Sequence, residues 1–579
     1  MAMTRQQRLA AVRTKAHFPV VIVGAGINGI GTFRDLSLQG VDCLIVDKGD
    51  FCSGASAAPS RLIHGGLKYL ETGEFRLVAE ATLERNRLLR NAGHLVRPLE
   101  TMVPLFSWLD GIGPTVRRFF RRPARTTSRG AAIIELGLSL YDYLGRRERV
   151  MPRHRFWRRQ AALQAMPGLD PRLVAAASYY DAWITQPERL GLELVMDAEA
   201  ANPGSVGLNH VRLVGRDGGR LRFRDELSQE EFDVRPDLVI NAGGAWIDRA
   251  NQAMAVQSRY IGGTKGSHLL LDHPALLRAL DGRMLSFATA DGRLCLAFPF
   301  LDRVLTGSTD LRIDDPDQAA CEDAEIDYIL AALGAMFPGL PVDRSHIVYT
   351  YCGVRPLPRS DAADVGEISR DHSVPIDEPT TERPFPILSL VGGKWTTFRA
   401  FAAETADRVL ARLGRQRRCS TELEPIGGGR SLPPAGPAQD AWMAEFSTRR
   451  GLDRDRAAAL VHRYGSRAEA VARFCAAGTD RPLRSLPAYT RREIEFIAQE
   501  EQVGTLSDVL LRRTVIAITG RASLGVVQEL AEVLSDVLGW DATRLEAEVA
   551  RTRTELADRH RVELAEQAPT RVTRVAVPT

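Results

Sequence analysis

Gly24-Ala25-Gly26-Ile27-Asn28-Gly29 forms a GxGxxG run, and Asp47 follows 18 residues after Gly29. The first glycine suits a tight turn, the second a close backbone approach to a pyrophosphate, and the third close packing of helix on strand. The helix N-terminus then turns unpaired N–H groups toward phosphates. A carboxylate at the end of the next strand can take ribose hydroxyls. The chemistry this predicts is dinucleotide binding. Beyond it, Ser60 to Glu71 reads SRLIHGGLKYLE, which crowds His64, Gly65, Gly66, Lys68 and Tyr69 together. His64 and His268 are candidate bases, because imidazole titrates near neutral pH. Which of them takes a proton stays open, with Lys394 or a water also in play. Arg355 precedes Pro356, which restricts its backbone, and Lys394 follows Gly392-Gly393, which permits close backbone approach. Asp310, after Thr309, either orients a reacting group or caps a turn.

The elements that must position these residues follow from pattern. Phe18 to Asp50 reads as strand, glycine turn, helix and strand. Asp237 to Trp246 is a buried strand running into a second glycine turn at Gly243-Gly244, and Pro384 to Gly414 is a strand, a glycine turn and a long amphipathic helix. Leu294 to Asp310 reads as a hairpin turning at Leu301-Asp302. A Gly/Pro-rich linker follows, and then a purely helical pattern. Trp246 and Trp395 are expected to pack rather than relay electrons.

The 579 residues exceed one ordinary core. Hydrophobic residues at 44% and charged residues at 26% describe a soluble globular chain. A net charge of +4 gives no reason to expect nucleic acid. The seven cysteines form no CxxC pair, so no metal site or disulfide framework is expected, and a reducing, cytoplasmic setting is. No signal peptide is legible, and no apolar run is long enough to span a bilayer. The segment from Val116 to Arg129 carries six arginines and two phenylalanines, and a second cluster lies at Arg153 to Gln160. Arginine with aromatics at this density is read either as a peripheral contact with anionic membrane, on the inner face of the cell membrane, or as a solvated loop.

The glycine loop near the start of the chain, and the small polar stretch after Asp47, favour FAD over NAD. With SRLIHGGLKYLE in hand the chain resembles the FAD-dependent glycerol-3-phosphate dehydrogenases, of D-amino-acid-oxidase-like architecture. The resemblance continues through GLSLYDYLG at 137–145, INAGGAWIDR at 240–249, KGSHLLL at 265–271 and LTGSTD at 305–310. YTYCGVRPL at 349–357, LVGGKWTTFRAFAAE at 390–404 and TLSDVLLRRT at 505–514 extend it, so that it covers Phe18 to about Arg551.

It implies an α/β chain with a Rossmann-type FAD-binding domain, an interleaved mixed β-sheet substrate domain and an all-α C-terminal domain. The corresponding division is an N-terminal extension at 1–17 and the FAD domain at 18–415, with substrate parts near 76–180 and 255–345. A linker at 416–444, helices at 445–560 and a tail at 561–579 complete it. Gly24, Gly26, Gly29 and Asp47 are then implied to hold the adenosine half of FAD. Ser53, Gly54, Ser56 and Ser60 would line the pyrophosphate and ribityl path. His64, Gly65 and Gly66 would lie against the isoalloxazine, with Gly243 and Gly244 near the cofactor. Gly392, Gly393, Lys394 and Thr396 would close over it. Lys68, Tyr69, Lys265, His268, Asp310, Arg355 and Lys394 would meet the substrate.

Relatives often carry arginine where Lys68 stands, Trp183 to Thr185 depart from the pattern, and 116–129 reads as an insertion. The implied reaction is oxidation of sn-glycerol 3-phosphate to dihydroxyacetone phosphate, with electrons passed to quinone. A homodimer is a further expectation. The competing readings are an oxidase of the same fold that acts on an amine, an amino acid or another phosphorylated polyol with oxygen as acceptor, and a flavin-holding protein without turnover.

Overall fold

The computed structural model describes residues 3–70, 73–108, 130–289, 291–360 and 371–565. The arginine-rich 116–129 segment lies outside them, as does most of the expected tail. The glycine loop hangs from a parallel sheet. His17–Val23 pairs with Cys43–Val46 on one side and Glu231–Asn241 on the other. Val206–Leu208 and Ile387–Ser389 extend the two edges in the same direction. Val20 and Ile22 feed one hydrophobic cluster, and Phe18, Val21 and Val23 the other. Burial on both faces explains why the strand reads as an unbroken apolar run. The helices Ile27–Leu38 and Phe398–Arg412 pack together on one face, where a Cβ on Gly31 would come within 2.8 Å of the Phe398 ring.

The second sheet interleaves with the first in sequence. Its strands run in the order Leu311–Arg312, Thr264–Leu271, Arg303–Gly307, Leu294–Phe300, Met284–Ala288, Val96–Leu105, Ala175–Ile184 and Leu62–Ile63. The expected hairpin is present, turning at 301–302 with Leu301 at φ +55°. Ile347–Arg355 also pairs with Thr264–Leu271, so this sheet continues past residue 345. Alternation along Thr264–Leu271 sends Leu269 and Leu271 to one cluster and Leu270 to the opposite one. Trp183, in the stretch that departs from the family pattern, meets the Phe298 and Phe300 rings edge-on and so serves packing.

The C-terminal helices begin earlier than composition suggests. Pro437–Arg450 starts inside the Gly/Pro-rich stretch because proline is tolerated in a first turn. Arg454–Tyr464, Ala468–Ala476, Arg491–Glu500, Leu524–Leu538 and Ala542–His560 complete the domain. It is joined to the rest by ion pairs buried from water. Arg189 and Glu501 meet at 2.8 Å with both side chains 0% exposed. The domain also reaches the second sheet, where Arg303 Nε donates to the Thr519 carbonyl at 3.0 Å and His560 stacks on Tyr349.

Candidate active site

The loop geometry answers the requirement for glycine. Gly24 holds φ +107°, and a Cβ there would lie 2.5 Å from the Ala242 carbonyl oxygen. A Cβ on Gly29 would fall 2.1 Å from the Gly24 oxygen, so helix and turn touch directly. Gly26 differs, since the contact its Cβ would make is with Ser56 Oγ at 3.2 Å. Among the described residues no other atom beyond its chain neighbours lies within 4 Å of that Cβ, so the backbone there is open to a close approach. Asp47 accepts from the Ala25 amide at 2.7 Å and the Gly49 amide at 2.9 Å. Burial pushes its carboxyl up, and the two amides oppose that.

Distant segments close on this loop. Ser56 Oγ accepts from the Ile27 amide at 2.9 Å, and the Ser56 carbonyl accepts from Trp395 Nε1 at 3.1 Å. Thr396 Oγ1 accepts from the His64 amide at 3.1 Å. Asn28 Nδ2 donates to the Gly392 carbonyl at 3.1 Å, and a Cβ on Gly393 would strike that amide at 2.4 Å. Asn28 Oδ1 is buried without a hydrogen-bond partner. Gly243 donates to Asn241 Oδ1 at 3.1 Å, and Gly244 has open space where a Cβ would stand. Gly54 lies beneath Trp246, whose ring carries Lys48 at 4.2 Å and whose Nε1 donates to Asp317 at 2.8 Å. Trp246 is therefore part of a charged rim, whereas Trp395 packs in the core. These residues fit a long dinucleotide such as FAD.

Loop 53–66 also reaches the second sheet. Ser60 Oγ bonds His268 Nε2 at 2.8 Å. The His268 ring stacks on Tyr351 at 4.9 Å and 13°, and Tyr351 Oη donates to the Pro59 carbonyl at 2.8 Å. Register explains the grouping: Thr264 faces Arg355, Gly266 faces Gly353, and His268 faces Tyr351. Residues directly opposed on antiparallel strands share a face, so Arg355, Tyr351 and His268 lie together. Arg355 lies across Gly266, where a Cβ would come within 2.2 Å of its guanidinium. It pairs with Asp310 at 2.9 Å and donates to the Thr309 carbonyl at 3.2 Å. Burial first, and then the positive charges of Arg355 and Arg61, push the His268 imidazole down to about 3. It is neutral near pH 7, and its Nδ1 is buried without a hydrogen-bond partner.

Ser60, His268, Asp310 and Arg355 thus come together, but Lys265 does not join them. Three residues from His268, it projects from the opposite face of the strand. There Glu325 at 2.9 Å, Glu322 and the Ala320 carbonyl hold its ammonium. We expect Lys265→Met to leave substrate saturation within about twofold and to cost about 3 kcal/mol of stability, because Glu325 is left a buried unpaired carboxylate. Urea unfolding and KM measured on the same variant check this. Lys394 follows the 392–393 turn with its Nζ buried. The side chains of Lys68 and Tyr69 lie outside the described ones.

Two features escape a reading of motifs. Beneath Gly65, whose amide donates to Asp181 and Tyr141 Oη at 3.0 Å each, Arg85 donates to Asp181 at 2.7 Å. A Cβ on Gly65 would lie 2.3 Å from Tyr141 Oη, so this buried network fixes how close the loop can come. Tyr141 was visible within GLSLYDYLG, but its partners were not. Arg61, at φ +55°, donates to the Thr185 carbonyl at 3.0 Å and pairs with Glu188 at 2.8 Å. It is a second cation beside His268.

A sequence profile described as FAD dependent oxidoreductase matches residues 19–407, and one described as the C-terminal domain of alpha-glycerophosphate oxidase matches 419–545. A glycerol-3-phosphate dehydrogenase of Synechocystis sp. is 32% identical over 554 residues, spanning 92% of this chain and 95% of that protein. Glycerol-3-phosphate dehydrogenase 2 of Mycobacterium tuberculosis is 29% identical over 547 residues, spanning 92% of this chain and 87% of that protein. The crystal structure of the glycerol-3-phosphate dehydrogenase from Bacillus halodurans complexed with FAD shares the fold. Its TM-score is 0.73 at 21% identity, covering 98% of this chain and 100% of that one.

Proposed function

The chain belongs to the FAD-dependent oxidoreductases, in the glycerol-3-phosphate dehydrogenase branch with its helical C-terminal domain, and from that premise we propose that it oxidises sn-glycerol 3-phosphate to dihydroxyacetone phosphate. FAD, when bound, supplies the acceptor for the hydride on the carbon bearing the secondary alcohol. The observation that carries the reading is one sheet face that sets a buried neutral histidine beside an arginine and ties the histidine to the loop following the nucleotide signature. Arg355, oriented by Asp310, binds the phosphate through charge-assisted hydrogen bonds. His268 takes the hydroxyl proton, with Ser60 fixing its ring. Gly24, Gly26, Gly29 and Asp47 hold the adenosine half. Ser53, Gly54, Ser56, Gly243 and Gly244 hold the middle of the cofactor, and His64 to Gly66 with Gly392 to Lys394 and Thr396 enclose the ring. Anaerobic bleaching of the flavin by glycerol 3-phosphate, and not by D-amino acids, is the test; bleaching by the amino acids alone would transfer the protein to the oxidase reading.

The acceptor in this reading is a quinone reached at a membrane surface. Among the described residues no helix is long and apolar enough to cross a membrane. The helix Ala131–Leu144 is nevertheless apolar in sequence while burying three of its residues, Ala131, Leu138 and Tyr141. Leu136 is 71% exposed and Trp108 55%. Phe106, Tyr143, Val150 and Phe156 are exposed as well. Arg146, Arg147, Arg153, Arg155 and Arg158 are exposed on 146–158, a segment that follows directly on this helix, with Arg146 over the Tyr143 ring and Arg155 over the Trp157 ring. A helix that leaves so many apolar side chains exposed is suited to a cover, and aromatic groups beside exposed arginines suit anionic headgroups. We expect binding to phosphatidylglycerol vesicles that weakens by about tenfold or more in Arg153→Glu/Arg155→Glu. Equal sedimentation of variant and wild type would remove this face from membrane contact.

A further inference from the structure

The helical C-terminal domain contributes no residue to the site described above, yet it grips the loop that leads out of the nucleotide signature. Asp50 lies three residues past Asp47 and is 1% exposed. Its Oδ1 accepts from Asn209 Nδ2 at 2.8 Å and Arg513 Nη2 at 2.9 Å. Its Oδ2 accepts from Arg513 Nη1 at 2.6 Å and Arg512 Nε at 2.9 Å. Both arginines sit on the π-helical turn Val509–Arg513. Asp50, His210 and Asp508 present ligand atoms within 4.8 Å of one another. Arg512 and Arg513 neutralise those carboxylates, however, so the cluster is an ion-pair lattice and not a cation site.

The far side of the same loop is bonded to the glycine turn. The Cys52 amide donates to the Ala25 carbonyl at 2.9 Å, and the Asp47 carboxylate takes the Ala25 and Gly49 amides. The His210 amide donates to the Gly49 carbonyl at 2.7 Å, while the His210 ring bonds Asp508 of the helical domain. Cys52 holds φ +56°, a left-handed conformation that a side chain other than glycine keeps only where its surroundings over-determine it. The arginine pair fixes Asp50, two residues before it, from the other side.

We propose that the helical domain is a cofactor-retention element: Arg512 and Arg513, by fixing Asp50, hold residues 47–54 in the conformation that grips the adenosine half of FAD. Asp50 is then a positioning residue acting through Asp47 and the glycine turn. The proposal rests on FAD as the cofactor and is independent of the substrate. Its test is the release of FAD from purified holoenzyme, read as free-flavin fluorescence on dilution. Asp50→Asn is expected to raise the FAD dissociation constant at least tenfold. Arg303→Met, which cuts one of this domain's contacts with the second sheet, is expected to leave it within twofold, even though both variants lower the thermal midpoint. A dissociation constant for Asp50→Asn less than threefold above wild type would overturn the proposal. So would equal loosening in both variants, since that would make the domain general glue. If Asp50→Asn does not fold, Arg512→Lys keeps the charge and removes the Nε donor. A threefold or greater rise in its dissociation constant then supports the proposal, and a smaller one overturns it.

Discussion

Replacing Arg355 with methionine will raise the glycerol 3-phosphate concentration needed for half-maximal flavin reduction by about a hundredfold, while the flavin stays bound. The guanidinium lies flat over Gly266, held by Asp310 at 2.9 Å and by the Thr309 carbonyl. It is therefore preorganised, and little side-chain entropy is lost when an anion arrives. Deleting one charge-assisted contact costs about 1.5–3 kcal/mol. Asp310 meanwhile loses the Arg355 guanidinium that faced it, and its charge then opposes the phosphate, which pushes the loss to the upper end of the range. Stopped-flow anaerobic reduction across a substrate series measures the effect. Lysine at 355 will recover only part of it, because an ammonium keeps the charge but not the planar fork. A substrate dependence within threefold of wild type would remove Arg355 from phosphate binding.

The parts of this site that could be read in the sequence are those governed by local geometry. Gly24, Gly26 and Gly29 recur at a fixed spacing within one strand-turn-helix, so the spacing identifies them, although Gly24 is crowded by Ala242 and Gly26 by Ser56 from distant segments. Arg355 beside Pro356 was legible for a similar reason. The separation of Lys265 from His268 was legible too, since residues three apart on a strand point to opposite faces. Treating KGSHLLL as one block concealed it. What sequence could not supply is register. Nothing local says that His268 opposes Tyr351, or that Gly266 lies under Arg355. The same holds for Asp50 and Arg513, bonded across 463 residues. Burial is equally non-local. His268 reads as an ordinary histidine until the sheet, Arg355 and Arg61 enclose it and strip its water.

That enclosure makes His268 the residue with the largest expected kinetic effect. His268→Asn should slow flavin reduction at saturating substrate by about a thousandfold, within the usual range for loss of a positioned base. His64→Asn should slow it less, because in this reading the hydroxyl proton goes to His268, and the His64 amide that bonds Thr396 is kept. The pH dependence separates the roles further. An imidazole held down to about 3 stays neutral across the working range, so kcat/KM in the wild type should show no acid limb from this group above about pH 5. Burial is the leading cause of that depression, and Arg355 is the first of the charges that add to it. A bound phosphate neutralises that charge, so substrate itself raises the basicity of His268 at the moment a base is needed. Arg355→Met removes the same charge permanently. An acid limb should therefore move upward in that variant, part of the way toward 6.5, and vanish when His268→Asn is added. If the Asn variant reduces its flavin within threefold of the wild-type rate, the proton leaves by another route and His268 only shapes the site.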